Sequence, residues 1–400
     1  MHERGKPSAL TITAVNTFAF ALSFAVWVML GPSARALAKQ LGLSEATVAL
    51  VKSAPILVGS VMRIPVGLLA DRLGARRTFA LVQVVGAIGA LALSFAGGLG
   101  GLIGGGLVLG FVGTTFVVGV QSVSSWTPPA RQGFALGVFG SGNVGTALTT
   151  FAMPLLVASI GWRAGFRIYG ASLLACAALY YAIVRDAGAA PARTLGAMLA
   201  PLKSPRALRF GLYYMATFGA FVATTLTVSD LYVDVYAITP KTAGLLATTF
   251  TLAASLVRAV GGRLADAYGA RAVMRASLFV IVLAAAPVAF LPPLAVTVAL
   301  VFVAGLAMGV GAAATFKYIP QFFPSSVGAV RGIVGALGGV GGFFLPMLSA
   351  WVKTRWGTPA FGLLPIVALA TVAGVAQAIA ARPVEKPGLT TLTPSVPPPR

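Results

Sequence analysis

About twelve apolar segments of roughly twenty residues divide this 400-residue chain. A helix of about 20 residues spans the ~30 Å hydrocarbon core of a bilayer. The segments lie near residues 10–30, 46–69, 78–98, 101–124, 134–157, 165–184, 209–229, 241–262, 275–292, 294–316, 332–352 and 358–381. Only 9% of the residues are charged, whereas a soluble domain carries about 25%. The pattern therefore predicts an all-α membrane protein with twelve transmembrane helices.

One polar stretch, residues 185–208, interrupts the series with charges and three prolines. It separates six apolar segments from six more. We therefore expect an N-terminal half at residues 1–184, a linker at 185–208 and a pseudo-symmetric C-terminal half at 209–381. A proline-bearing tail at 382–400 is expected to be disordered.

The basic residues indicate the topology. Lys and Arg are concentrated in segments that are cytoplasmic if both termini are inside, as the positive-inside tendency requires. The net charge of +21 does not indicate a nucleic-acid partner, because such a partner requires basic residues clustered on one solvated face. We expect a multi-pass protein of the cytoplasmic membrane, with the lipid bilayer around it and a monomeric state.

Histidine and cysteine are nearly absent. The single histidine is His2 and the single cysteine is Cys176, which excludes a cysteine metal site or an internal disulfide framework. An enzyme would need metal ligands or a nucleophile with a base, and the apolar segments contain neither. The sequence therefore predicts neither enzymatic activity, nor a metal, nor a cofactor.

Two arginines, Arg63 and Arg258, lie inside apolar segments at equivalent places in the two halves, 195 residues apart. An arginine at the centre of a membrane helix costs about 2.5–3.5 kcal/mol on insertion scales, so it normally faces a polar interior. Arg63 precedes Asp71, at the expected helix end, by about 12 Å of helix, close to mid-membrane. Parallel repeats place substrate sites at their interface near the midplane. We therefore predict a central anion site.

The loops after both arginines repeat the same pattern. The first resembles the G-x-x-x-D-R-x-G-x-R-R loop of the major facilitator superfamily, and the second is a weaker copy in which Ala267 replaces the first arginine. The resemblance implies ion pairs that latch helices on the cytoplasmic side. The residues concerned are Gly67, Asp71, Arg72, Gly74, Arg76, Arg77, Asp266 and Arg271. A purely topogenic charge cluster is the alternative.

Along nearly the whole chain the sequence also resembles the nitrate/nitrite porter family of that superfamily. The matching features are the two arginines, glycine-rich stretches in segments five and eleven, and several pocket residues. These pocket residues are Asn143, Tyr214, Phe116 and Phe218. The resemblance implies a secondary transporter of nitrate and nitrite working by alternating access.

The chemistry of nitrate fits these residues. Nitrate is planar and offers only acceptors, so a guanidinium fork can meet two of its oxygens, which lysine cannot do. Asn143 and Tyr214 can donate to the remaining oxygen, while Phe116 and Phe218 can bound its flat faces. The structural alternatives are arginines satisfied by backbone carbonyls and phenylalanines that only pack helices.

Small residues at short spacing permit two helices to approach closely and slide. We therefore predict that segments five and eleven form the moving seams between the halves. The glycines concerned are Gly140, Gly142, Gly145, Gly338, Gly339, Gly341 and Gly342.

None of the eight acidic residues lies at the centre of an apolar segment. Because carboxylates and histidines normally carry co-transported protons, we predict nitrate/nitrite exchange. Proton-coupled nitrate symport, nitrite export and transport of another small organic anion remain alternatives. Asp230, Asp234 and Lys317, near helix ends, are interpreted as solvated or snorkelling charges.

Overall fold

The computed structural model describes residues 8–128, 131–187, 194–323 and 327–380, and every regular element within them is a helix. The α-helices are α1 (Ala9–Trp27), α2 (Leu30–Leu41), α3 (Glu45–Val61), α4 (Arg63–Leu73), α5 (Ala75–Ser94), α6 (Leu99–Gly110), α7 (Thr115–Trp126), α8 (Gln132–Gly140), α9 (Gly145–Ile183), α10 (Leu195–Leu199), α11 (Pro205–Tyr214), α12 (Ala220–Tyr236), α13 (Pro240–Tyr268), α14 (Ala270–Ala285), α15 (Leu294–Tyr318), α16 (Val327–Trp356) and α17 (Leu364–Ile379). The predicted tail at 382–400 lies outside the described residues. The all-α prediction is confirmed for the described part.

Within these ranges, ten helices, some of them continuous across short irregular turns, are long and apolar enough to cross a membrane, and the bent pair α3–α4 adds an eleventh. One of the ten, Ala135–Ile183, has 49 residues and would be about 74 Å long if straight. It breaks at Gly161, whose φ of 80° and ψ of 158° are not helical, so it consists of two successive helices. The described residues therefore contain twelve candidate spans, numbered here as spans 1–12 in chain order.

Glycines end the helices at the tight connections. Gly42, Gly74, Gly161 and Gly269 have φ between 62° and 86°, a conformation that a side chain with a Cβ disfavours. Gly74 and Gly269 follow spans 2 and 8 at equivalent positions, 195 residues apart. The repeat in the sequence is therefore also a repeat in backbone conformation.

The two groups of six spans meet along two principal contacts. In the first, α16 of span 11 packs against α3 of span 2, and in the second, α13 of span 8 packs against span 5. Between the halves, within the predicted linker, the short helix α10 packs on both α4 and α16. Spans 2 and 8, which carry the two arginines, thus face the opposite half.

Candidate functional site

Arg63 lies at a bend in span 2. Helix α3 ends at Val61, α4 begins at Arg63, and the two helices are inclined by 46°. Pro65 explains the break, because its ring clashes with the carbonyl four residues earlier, that of Val61. The Arg63 side chain is buried, and its Nη1 donates a 2.5 Å hydrogen bond to the carbonyl of Gly335 in span 11. Arg63 therefore reaches from the first half to the second.

Arg258 lies in the unbroken helix α13 and is also buried. Val260 stands where Pro65 stands in the first half, so span 8 continues through this point. The Nε and Nη2 atoms of both Arg63 and Arg258 are buried, and within the described chain these four atoms have no hydrogen-bond partner. The backbone carbonyl of Gly335 satisfies only one Arg63 donor. Donors of both guanidinium groups therefore remain for a ligand.

Phe218 links the two arginines. Its ring centroid lies 5.5 Å from Cζ of Arg63 and 5.3 Å from Cζ of Arg258. Each arginine also faces a ring of its own: Phe116 lies 5.4 Å from Arg63, and Phe221 lies 5.5 Å from Arg258. Aromatic faces within about 6 Å stabilise a cation. These rings therefore stabilise two buried cations that have no ion pair among the described residues.

Tyr214 and Phe218 lie side by side in span 7. Their rings stack with centroids 4.9 Å apart and planes inclined by 11°. Tyr214 directly precedes a π-helix, Met215–Gly219, that contains Phe218, and such local irregularities are frequent at functional sites. Tyr214 also lies close enough to Arg258 for the two side chains to interact electrostatically. Tyr214 therefore adds a hydroxyl beside the arginine of the second half.

Three residues of this site were not among the predicted ones. Phe316 of span 10 meets Tyr214 edge-on at 4.8 Å and Phe116 at 6.1 Å. Phe221 faces Arg258, and Gly335 supplies the carbonyl for Arg63. Gly335 is the first residue of the glycine-rich stretch of span 11, and this stretch could have indicated Gly335 from the sequence. Nothing in the sequence distinguishes the two phenylalanines from the many others in the apolar segments.

Asn143 lies on a short 3₁₀ segment, Ser141–Val144, that packs against α13, the helix of Arg258. Its Nδ2 donates to the carbonyl of Gly140 at 2.7 Å. Its Oδ1 is buried and has no hydrogen-bond partner in the described residues. Asn143 is therefore a buried, partly satisfied amide next to the span that carries Arg258, and one amide hydrogen remains available.

The glycines of span 11 lie against both halves. A Cβ on Gly338 would overlap the ring of Tyr214, and one on Gly341 would overlap Met215, both in span 7. A Cβ on Gly339 would overlap Ser60 of span 2. Gly342 faces Val222 and Ile56, on opposite halves. Span 11 thus approaches its neighbours at distances that any larger side chain would prevent.

Two of the three glycines predicted in span 5 also lie where an added Cβ would overlap a neighbouring span. Gly142 packs against the ring of Phe20, and a Cβ on Gly145 would overlap the backbone of Ala21. Both partners belong to span 1, in the same half. A Cβ on Gly140, in contrast, would meet nothing within 4 Å. The small size of Gly140 is therefore not required by packing in this conformation.

The first loop predicted as a latch connects neighbouring spans of its own half. Arg76 donates from its backbone N–H to Asp186 at 2.9 Å and from Nε to the carbonyl of Tyr181 at 2.8 Å, both at the end of span 6. Gly74 has φ of 86° beside Asp186. Asp71 is buried, whereas Arg72 and Arg77 are exposed.

The second loop also connects neighbouring spans of its own half, here the C-terminal one. Arg271 donates to the carbonyls of Gln377 and Ala380, at the end of span 12. Asp266 pairs with Lys317 of span 10. Lys317 is 51% exposed, which agrees with its interpretation as a solvated charge. The side chains of Asp230 and Asp234 are 27% and 23% exposed and pair with Arg35 of the first half, a contact that was not predicted from the sequence.

The linker helix α10 inserts one side chain between the halves. Met198 is 1% exposed. Its Cε lies 3.5 Å from the position of a Cβ on Gly67 in span 2 and 3.8 Å from that on Gly332 in span 11. Gly67 follows Arg63 by one helical turn, and Gly332 precedes Gly335 by slightly less than a turn. Met198 therefore fills the space next to the arginine site on the predicted cytoplasmic side.

Comparison with known proteins agrees with this architecture. The sequence profile of the Major Facilitator Superfamily matches residues 17–239 and 210–399. A "Probable nitrate/nitrite antiporter NarK1" of Thermus thermophilus is 37% identical and aligns with 92% of this chain and 91% of its own length. The "Nitrite extrusion protein" of Bacillus subtilis (strain 168) is 31% identical over 90% of this chain and 91% of its own length.

Solved structures support the fold alone. The crystal structure of a D-xylose-proton symporter superposes with a TM-score of 0.73 and covers 95% of this chain and 99% of that chain. The two sequences are only 14% identical. The backbone arrangement is therefore shared, although most of the sequence differs.

Proposed function

The chain belongs to the nitrate/nitrite porter family of the Major Facilitator Superfamily, and from that premise we propose that it exchanges nitrate for nitrite across a membrane by alternating access. Transport, and not catalysis, is the proposed activity. The single observation that carries the proposal is the pair of buried arginines, one from each half, whose Nε and Nη2 donors are unpaired within the described chain.

The shape of the donors favours a small planar anion. A guanidinium presents parallel N–H bonds that match two oxygens of one planar ligand, and here two such groups come from opposite halves. Tyr214 offers a hydroxyl beside Arg258. We propose that Asn143, from span 5, donates its second amide hydrogen. Phe116 and Phe218, which face Arg63, would then limit the thickness of the ligand.

Electrostatics favours exchange. Two guanidinium groups in a low-dielectric interior repel each other, so closing both sides around the site without an anion is unfavourable. A bound anion cancels that repulsion, and the loaded carrier therefore crosses more readily than one without an anion. Release of one anion must therefore be followed by binding of another before the carrier returns.

Proton-coupled symport is the main alternative. It needs a group that gains and loses a proton during the cycle, and such a group is normally a carboxylate or a histidine. The six acidic residues among those described, Glu45, Asp71, Asp186, Asp230, Asp234 and Asp266, lie near helix ends or in loops. Exchange is therefore preferred. A nitrite exporter, or a carrier of another small organic anion, would use the same site with a different selectivity.

We propose that the protein lies in the cytoplasmic membrane as a monomer, with both termini in the cytoplasm. The distribution of Lys and Arg supports this orientation. In this orientation, Gly74 and Gly269 lie at cytoplasmic loops, and Gly42 and Gly161 at outer ones. We also propose that span 11 is a moving seam and that the two loops at Gly74 and Gly269 hold neighbouring spans together within each half during that movement.

Counterflow in reconstituted vesicles tests the proposal. Vesicles loaded with unlabelled nitrite should accumulate labelled nitrate transiently, without any pH gradient. Vesicles loaded with sulfate should not, because a tetrahedral dianion does not match the planar site. Uptake that needs no internal anion but stops when the proton gradient is removed would replace exchange by symport. Counterflow with formate but not with nitrite would show that the substrate is a small organic anion.

A further inference from the structure

Six charged side chains bridge the two halves on the predicted outer side. They form one connected set of ion pairs, which we call the outer network. Three members belong to the first half and three to the second: Arg35, Glu45 and Lys52, and Asp230, Asp234 and Lys353. The network is neutral as a whole, but its first-half part has a charge of +1 and its second-half part a charge of −1.

Asp230 is shared by two cations of the opposite half. Its Oδ1 lies 3.0 Å from Nε of Arg35, and its Oδ2 lies 2.9 Å from Nζ of Lys52. Arg35 also pairs with Asp234. Lys353 completes the network, with its Nζ 2.7 Å from both Glu45 and Asp234. The two aspartates of span 7 thus share Arg35, and Asp230 alone also pairs with Lys52.

Lys52 is the most buried member of the outer network. Its side chain is only 7% exposed, and it lies on α3, about 16 Å of helix before Arg63. Together with the rest of the network it lines a cavity of about 210 Å³. Alternating access requires the outer ends of the halves to separate, which withdraws Asp230 from Lys52. Arg35 and Lys52 then lose their carboxylate partners and remain as two cations of the same half in the open cleft, where they attract a small anion.

We propose that Arg35 and Lys52 form a second anion site, outside the central one. Asp230 and Asp234 fill it when the outer side is closed, and a small monovalent anion fills it when that side is open. An anion that enters therefore competes with the protein's own carboxylates and favours the open state as it binds. The identity of that anion as nitrate rests on the proposed function, whereas the site itself rests on the outer network.

The first test measures opening with a single reporter thiol. Cys176 is replaced by Ala, and Ser349, a buried residue that lines the cavity, is replaced by Cys. Asp230→Asn should accelerate modification of this cysteine by an impermeant maleimide added outside by about tenfold, which corresponds to about 1.4 kcal/mol in the opening equilibrium. Lys39→Gln, an exposed cation outside the network, should leave the rate unchanged. Equal rates in Asp230→Asn and Lys39→Gln would overturn the proposal.

The second test measures anion binding at the second site in a protein whose central site is impaired by Arg258→Ala. Purified protein carrying Arg258→Ala and Asp230→Asn is unfolded thermally in sodium nitrate and in sodium gluconate of equal ionic strength. Nitrate should raise the unfolding temperature relative to gluconate, adding Lys52→Gln should abolish that difference, and adding Lys39→Gln should preserve it. A difference that is absent before Lys52 is changed, or that survives Lys52→Gln, would overturn the proposal.

The two tests separate this site from the proposed function. If the protein does not exchange nitrate for nitrite, counterflow fails while the thermal response of the second site to monovalent anions persists. If only the second site is wrong, counterflow succeeds while the Lys52→Gln change has no effect on the thermal response.

Discussion

Arg63 donates a hydrogen bond of 2.5 Å from Nη1 to the carbonyl of Gly335, and this bond joins the two halves of the molecule. The donor belongs to span 2 and the acceptor to span 11. Span 11 is also the span whose glycines approach both halves most closely. Any sliding of span 11 against span 2 must therefore change this hydrogen bond, which connects the geometry of the arginine to the relative position of the halves.

We expect Arg63→Lys and Arg258→Lys each to abolish measurable nitrate transport. Lysine keeps the charge but loses the planar fork, and a hydrogen bond to a charged group contributes about 1.5–3 kcal/mol, which is about 10- to 100-fold in affinity. Nitrate counterflow and nitrate-dependent thermal stabilisation measure the effect. Amounts of protein in the membrane should stay normal, since charge and volume are largely kept. Normal transport by both lysine variants would refute the site.

Phe218→Leu should destabilise the anion-free protein. The Phe218 ring faces both arginines, and each cation–π contact contributes about 0.5–2 kcal/mol. We expect a lower unfolding temperature without nitrate and a larger stabilisation by nitrate than in the wild type. Phe221→Leu is the matched control, because Phe221 faces only Arg258, and its effect should be about half as large. Equal effects of the two changes would show that packing, and not the shared ring, is responsible.

Gly339→Ala should slow exchange severely while leaving the protein folded in one conformation. The added methyl would overlap Ser60 of span 2, and overpacking of this kind typically costs about 1–3 kcal/mol. Gly140→Ala provides the control, since a Cβ there meets nothing within 4 Å. Initial rates of counterflow compare the two. A larger loss in Gly140→Ala than in Gly339→Ala would contradict the assignment of span 11 as the tight seam.

Pro65→Ala should weaken nitrate binding although it changes no polar side chain. Without the proline ring, α3 and α4 can join into one helix, as α13 does around Val260, and the 46° bend is no longer imposed. Arg63 would then leave its position beside Gly335. The affinity for nitrate, measured by thermal stabilisation, should fall by about tenfold, the factor that corresponds to about 1.4 kcal/mol. Unchanged affinity would show that the bend persists for another reason.

The fold could be predicted from the sequence because each span is long and continuously apolar. Hydropathy alone defines such segments, and the 195-residue repeat relates the halves. Arg63 and Arg258 were identifiable for the same reason, since an isolated charge in an apolar run is conspicuous. The break between spans 5 and 6 could also be predicted, because Gly161 lies between two apolar segments.

Other parts of the site could not be predicted, because helices that are apolar all round give no periodic signal for the direction of a side chain. Phe316 and Phe221 therefore could not be distinguished from phenylalanines that face lipid. Asp230 and Asp234 looked like ordinary charges at a helix end, because their partner Arg35 is distant in sequence. Gly140 matched the small-residue spacing of its neighbours, but a Cβ there would meet nothing within 4 Å.

The side chain of Met198, held against Gly67 and Gly332, means that the two sides of the molecule are closed by different forces. Salt weakens solvent-exposed ion pairs and acts less on buried ones, whereas an apolar contact weakens on cooling. Salinity should therefore loosen the most exposed pair of the outer network, Lys353 with Glu45, and cold should loosen the contact of Met198. The side on which this carrier rests open would then depend on the salt and temperature of its surroundings, even when the anion concentrations are fixed.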